Sequence, residues 1–399
     1  MKSVKLAFVI IVVALLTALP AAAQSDGPAP QPETFIRVIG QIVNGTTGAE
    51  TPGDLEVMLH VWDADFNEKD MVHGVADGDG RFQFDDVPYQ PDLLYAIMAS
   101  YQEATYFSTP INVSEGETTL ELEVPVFEAT DDTAAVQVES MHLFFDIEQG
   151  GLTVGEIYSL SNSGDRTVFG ATALDDGTPA TLQFTLPPDA ASITFQGNQS
   201  RYFLTEEGFA DTAPLLPGTN SGQVVVTYIL PYEDSISLVR TAVFPTKELN
   251  VLIPPSLGVT LDDTGFISQG QRDMGNGFVV DVFSQENLAA GEAINLDLTG
   301  KLAVNGTNPM VATPPARKSD GLAIGVILLG VSVIGAGIWW YRRPIEEEEG
   351  FPEEFDEIVQ EIALLDAAHD EQTIDDETYQ TQRAVLRDQA RAVLAQGGG

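Results

Sequence analysis

The 399-residue chain has no cysteine, and it carries only 18 lysines and arginines against 60 aspartates and glutamates. Without cysteine there is no disulfide, thiolate metal site, iron–sulfur ligation, covalent haem motif or thiol nucleophile. The shortage of base leaves a formal net charge of −42. Such a field repels phosphate backbones and argues against nucleic-acid binding. The charge sits in two blocks, −33 over residues 24–320 and −11 over residues 342–399. Lysine is scarcer still, with six among the 18 bases. Ordinary solvation and a salt-adapted surface both fit that balance, because salt screens self-repulsion. Hydrolase, metalloprotease and phosphate-binding signatures are absent: there is no G-x-S-x-G, S-x-x-K, H-E-x-x-H or P-loop. Paired-carboxylate catalysis leaves no linear trace, so the acids alone do not decide that class.

Two apolar stretches are present. Residues 1–23 open with Lys2 and Lys5, run apolar from Leu6 to Leu19 and end in Ala21-Ala22-Ala23, the pattern of a secretory signal peptide cleaved before Gln24. Leu322 to Tyr341 holds about 20 residues without a charge, which at about 1.5 Å per residue matches a hydrocarbon core of roughly 30 Å. Trp339, Trp340 and Tyr341 close that stretch as an interfacial cluster before Arg342-Arg343. The expectation is a single-pass type I protein of a prokaryotic cell membrane, with an extracytoplasmic region to about Asp320 and a cytoplasmic C-terminus.

After a Pro-rich linker (24–34) the dominant period is two. Leu120, Leu122, Val124 and Val126 alternate with Glu121, Glu123 and Pro125, and Ile294, Leu296 and Leu298 alternate with Asn295, Asp297 and Thr299. That pattern marks strands with one buried face. Turn pairs interrupt the runs: Asn44-Gly45, Asp77-Gly78, Asp79-Gly80, Asp176-Gly177 and Pro217-Gly218. No helical period of useful length appears between 35 and 305. The predicted fold is mainly β: tandem antiparallel β-sandwiches outside, one transmembrane helix and a small cytoplasmic α-hairpin. The predicted divisions are a β-sandwich at 35–126, a second at 127–232 and a third β region at 233–305, which could form one domain with the second. A stalk (306–320), the span (322–341), an acidic spacer (342–354) and a helical hairpin (355–396) follow.

Residues 35–126 resemble a carboxypeptidase-regulatory-like, transthyretin-like module. Val38-Ile39-Gly40-Gln41-Ile42-Val43-Asn44 is similar to its opening strand, and Val57 to Trp62 to its second. Asp77-Gly78-Asp79-Gly80-Arg81-Phe82-Gln83-Phe84 matches the turn-then-strand hallmark, with Val87-Pro88 and the run Tyr95 to Tyr101 beyond it. The resemblance implies a folding or binding role rather than catalysis, and names no ligand.

Several residues invite a site and are weighed against plainer roles. Asp63, Asp65 and Asn67 open like a calcium loop, but Glu68 takes the glycine position and Gly74 the final glutamate. Asp77 and Asp79 fail similarly, since Arg81 occupies the next ligand position. Both are read as turns. His60, His73 and His142 could ligate a metal or haem iron if the fold gathered them, yet no H-x-H or H-x-x-x-H pair exists, and His142 is read as a structural histidine. Asn44, Asn112, Asn198 and Asn305 stand in glycosylation sequons. No catalytic, cofactor-binding or metal-ligating residue is assigned, and no cofactor is expected.

In the tail, Phe355, Ile358, Val359, Ile362 and Leu365 recur at helical spacing. Asp375 can cap a second helix striped by Tyr379, Leu386, Ala390 and Val393. Leu365-Asp366, Ile374, Tyr379, Arg383 and Leu386 resemble short-C-terminal-domain-like tails and helices of cytochrome c maturation accessory proteins, with Gln372 in place of the usual glycine. A hairpin this small buries little by itself, so it is expected to dock on a partner, pair with itself or remain marginal. The reading is a non-catalytic envelope protein that binds or scaffolds a protein or glycan outside, with a possible protein partner for the hairpin. An accessory role in cytochrome c maturation and an envelope polymer-processing enzyme with a carboxylate pair are the alternatives.

Overall fold

The computed structural model describes residues 34–63, 67–114, 116–148, 151–262, 264–274, 278–302 and 376–397, together with Ile358, Ile362 and Leu365. The expected signal peptide, Pro-rich linker, stalk and span at 322–341 lie outside the described residues. Among the described residues no helix is long and apolar enough to cross a membrane.

The first sandwich contains β1 (Thr34–Asn44), β2 (Glu56–Trp62), β3 (Glu68–Val75), β4 (Arg81–Tyr89), β5 (Leu94–Tyr101), β6 (Ala104–Phe107), β7 (Ile111–Asn112) and β8 (Thr119–Val126). One sheet runs β4-β1-β8 with β1 and β8 parallel; the other runs β3-β2-β5-β6, with β7 beside β5. β8 falls where the period-two pattern puts it. In β8, Leu120, Leu122, Val124 and Val126 are buried and their neighbours exposed. They meet Ile36, Val38, Leu59, Val61, Tyr95 and Ile97 in one core. At the turn before β4, Asp77 Oδ1 accepts the backbone N–H of Asp79 at 2.9 Å and of Arg81 at 2.8 Å. Gly80 there adopts φ +78° against Thr51, so a side chain would be strained.

The remaining strands are β9 (Ala129–Thr130), β10 (Val136–Glu148), β11 (Gly151–Asn162), β12 (Thr167–Val168), β13 (Thr172–Ala173), β14 (Pro179–Ala180), β15 (Leu182–Thr185), β16 (Ala191–Phe195), β17 (Tyr202–Leu204), β18 (Gly208–Asp211), β19 (Gly218–Leu230), β20 (Ser235–Thr241), β21 (Thr246–Ile253), β22 (Val259–Leu261), β23 (Ile267–Asp273), β24 (Val279–Leu288) and β25 (Ala293–Gly300). A seven-stranded sheet, β16-β19-β11-β10-β21-β24-β23, draws strands from both sides of residue 232. The three-stranded sheets β15-β18-β17 and β20-β25-β22 supply Phe184, Phe209, Leu238, Leu296 and Leu298 to the core that its inward side chains share. β11 is buried along nearly its whole length although Thr153, Glu156, Ser159, Ser161 and Asn162 interrupt its apolar residues.

The two sandwiches are tied by a polar joint. Thr46 Oγ1 donates to the Asp165 carbonyl at 2.7 Å, and Thr167 N–H donates to the Glu128 carbonyl at 3.0 Å. Tyr106 OH bonds Thr167 Oγ1 at 2.8 Å. The Glu128 carboxylate accepts Asn44 Nδ2 at 2.9 Å, Tyr101 OH at 2.8 Å and Gln102 Nε2 at 2.7 Å. One α-helix, α1 (Asp376–Gly397), is described, and Ile358, Ile362 and Leu365 are also helical.

Candidate functional site

Period-two geometry gives each strand of the β3-β2-β5-β6 sheet two distinct faces. Inward, β2 sends Val57, Leu59 and Val61, β5 sends Tyr95, Ile97 and Ala99, and β6 sends Tyr106 into the sandwich core. A sheet closing a sandwich needs only that face to be apolar. Here the outer face is apolar as well. Trp62, Leu94, Ala96, Met98 and Phe107 are buried there, with Met58 packed beside them. The register sets Met58 opposite Met98, His60 opposite Ala96, Trp62 opposite Leu94, and Met98 opposite Phe107. The patch is thus continuous across three strands.

Helical residues cover it. Ile362 and Ala390 are buried in the same cluster, and Ile358 and Leu386 pack against its edge. Leu386 and Ala390 stand four residues apart on α1, so they share a face. Of the expected tail stripe, Leu386 and Ala390 make their contact on the first sandwich.

Two polar groups lie within this apolar surface. His60 is fully buried and stacks on Trp62, with ring centroids 5.1 Å apart and planes 6° apart. Its Nδ1 lies 2.9 Å from Glu68 Oε1, which orients the ring. His60 Nε2 and Trp62 Nε1 are buried without a hydrogen-bond partner among the described residues. Leaving such a group unsatisfied costs roughly 1–3 kcal/mol. Burying a large apolar side chain gains about 1.5–3 kcal/mol, and Trp62, Leu94, Met98, Phe107 and Ile362 all contribute.

The other sequence candidates separate. His73 is exposed on β3 opposite Met58, and His142 lies in the second sandwich on β10 beside Ile157 and Asn250. Burial holds the His142 imidazole below its ordinary value. Among the described residues no group of three or more histidines and acids is placed to hold a metal ion. Asp63 bonds Asn67 through both carboxylate oxygens and pairs with Lys69 at 2.7 Å, while Asp65 lies outside the described residues. The Asn44 sequon is committed to the joint: Asn44 Nδ2 donates to the Glu50 carbonyl at 2.9 Å, and Thr46 is buried. Asn112 Nδ2 donates to the Leu93 carbonyl at 2.9 Å, Asn198 caps a short 3-10 turn, and Asn305 lies outside the described residues.

One network was not singled out from sequence. Arg240 and Glu156 are buried in the second core, with Arg240 Nε 2.6 Å from Glu156 Oε1 and Nη2 2.8 Å from Oε2. Tyr158 and Tyr228 donate their hydroxyls to the same carboxylate, and Arg240 Nη2 also donates to the Thr185 carbonyl at 2.7 Å. Burial first, then the Glu156 charge, raises both phenols well above their ordinary value. The network joins three sheets. Its sequence signal is a lone charge at an inward-facing position: Glu156 between Val154 and Tyr158, and Arg240 between Leu238 and Ala242.

No family model matches the chain, and no curated protein does. Solved structures with similarity include the major pilin SpaD of Corynebacterium diphtheriae, 9% identical over 67% of this chain and 84% of that one, at a TM-score of 0.19. The RrgB pilus protein of Streptococcus pneumoniae is 10% identical over 68% and 62%, at 0.19. A 9R-lipoxygenase from Cyanothece PCC8801 is 16% identical over 24% and 16%, at 0.17. Scores this low carry no argument about function, and the β-sandwich reading rests on the sheets themselves.

Proposed function

We propose that this chain is a non-catalytic binding or scaffolding protein of the cell envelope, exported by residues 1–23 and attached to the membrane through residues 322–341. Its recognition surface is the outer face of the first sandwich. The supporting observation is the second apolar face on β2, β5 and β6, built from Trp62, Leu94, Ala96, Met98 and Phe107 and covered by a helical segment. A sheet face of this composition takes an amphipathic helix, the mode in which apolar anchors spaced i, i+4 supply the affinity. The carboxypeptidase-regulatory-like resemblance supports the same role, because such modules fold or bind rather than catalyse.

The test is a photo-reactive residue placed at Met98 or Phe107 in the full chain in its membrane, with Leu204 and Ile267, both exposed in the second sandwich, as control positions. A discrete adduct from the face positions and none from the controls is expected. Equal or absent labelling at both pairs rejects this face as a binding surface.

A further inference from the structure

We infer that the occupant of this face is the chain's own C-terminal segment, with α1 and the helical residues Ile358 and Ile362 acting as a built-in cap that an external partner must displace. This deepens the binding reading above and rests on it. Three observations carry it. The stripe formed by Ile358, Ile362, Leu386 and Ala390 lies in one cluster with the sheet residues, and Ile362 and Ala390 are as buried as core side chains. A tail this small has too little surface to fold by its own burial, and packing its stripe on the sheet supplies burial that it lacks alone. The cap also satisfies the face incompletely. Among the described residues His60 Nε2 and Trp62 Nε1 stay unpartnered beneath it. Both regain hydrogen bonds when water or a partner with polar groups replaces the cap, which makes the covered state displaceable.

The inference has a topological consequence. The sandwich and residues 376–397, packed together in one cluster, share one side of any membrane. The type I arrangement, with the tail opposite the sandwich, is the competing outcome.

Because the chain has no cysteine, a pair of introduced thiols can form only one disulfide within it. Ala390→Cys is combined with Met98→Cys, and separately with Phe107→Cys, in the full chain in membranes. Ala390→Cys with Ile267→Cys is the control. Mild oxidation is expected to give a monomeric, reductant-reversible crosslink for at least one face pair and none for the control. In a Trp339→Phe/Trp340→Phe background, Trp62 is the one remaining tryptophan. There Leu386→Asp is expected to raise acrylamide quenching of Trp62 several-fold. Absence of both crosslinks in folded protein, or labelling of Ala390→Cys by an impermeant maleimide only from the side opposite Ile267→Cys, overturns the cap. Photo-adducts at Phe107 with an external protein would then leave the binding reading standing without it.

Discussion

Arg240 and Glu156 show how a buried charge pair is made tolerable in an apolar core. The carboxylate accepts two guanidinium and two phenolic hydrogen bonds, and Arg240 Nη2 also reaches the Thr185 carbonyl. Removing one partner leaves the other charge buried and uncompensated, a loss of about 3–5 kcal/mol. Arg240→Met is therefore expected to lower the unfolding free energy by about that amount in urea titrations. The double variant Glu156→Met/Arg240→Met is expected to lose less than the sum of the single variants, because no unpaired charge remains. Glu128 works differently at the joint. The Tyr101 hydroxyl foremost, with the amides of Asn44 and Gln102, holds its carboxyl below the usual range. A depressed folded-state value stabilises the protein above the unfolded-state value, and that stabilisation fades as pH falls through the folded one. The Glu128 contribution is thus expected to fade across this acid window. Glu128→Gln is expected to show a shallower slope there, read from unfolding midpoints at successive pH values.

At the scale of elements, β1 makes the most exacting contact in the first sandwich. A Cβ on Gly40 would lie 2.1 Å from the Leu122 carbonyl of β8 and 2.4 Å from the Phe82 ring. The carbonyl is backbone and cannot swing aside, so Gly40→Ala is expected to cost roughly 1–3 kcal/mol and to speed amide exchange along β8. The same strands show what the sequence made legible. Strict alternation in β8 and β25 predicted both strand and buried face, and the Asp77–Gly80 turn with β4 behind it fell where its residues placed it. Other features were hidden for physical reasons. An apolar run buried on both faces, as in β5, does not say what covers the second face. The parallel pairing of β10 with β21 joins segments about a hundred residues apart, and no local pattern encodes such a partner. The second apolar face on β2 and β5 was present in the sequence as the missing alternation from Leu94 to Met98, which signals burial but not its cause.

Across the whole molecule the dominant feature is charge of one sign. The described ion pairs use few of the acids: Arg37–Asp85, Lys69–Asp63, Arg81–Asp79 and Lys247–Glu139 each hold an exposed or partly exposed carboxylate. Such surface pairs contribute about 0–1 kcal/mol each, too little to offset a net charge of −42. Repulsion among the remaining acids therefore opposes the compact state, and salt relieves it by shortening the Debye length from about 10 Å at 0.1 M to about 3 Å at 1 M. The melting temperature of the full chain is expected to climb steadily with sodium chloride over that range. The buried Arg240–Glu156 pair sits out of reach of that screening, so Arg240→Met should shift the whole curve down without changing its slope. A melting temperature that falls or stays level with added salt would show that the acids are spaced widely enough for solvation alone, and would remove the salt-adapted reading of this surface.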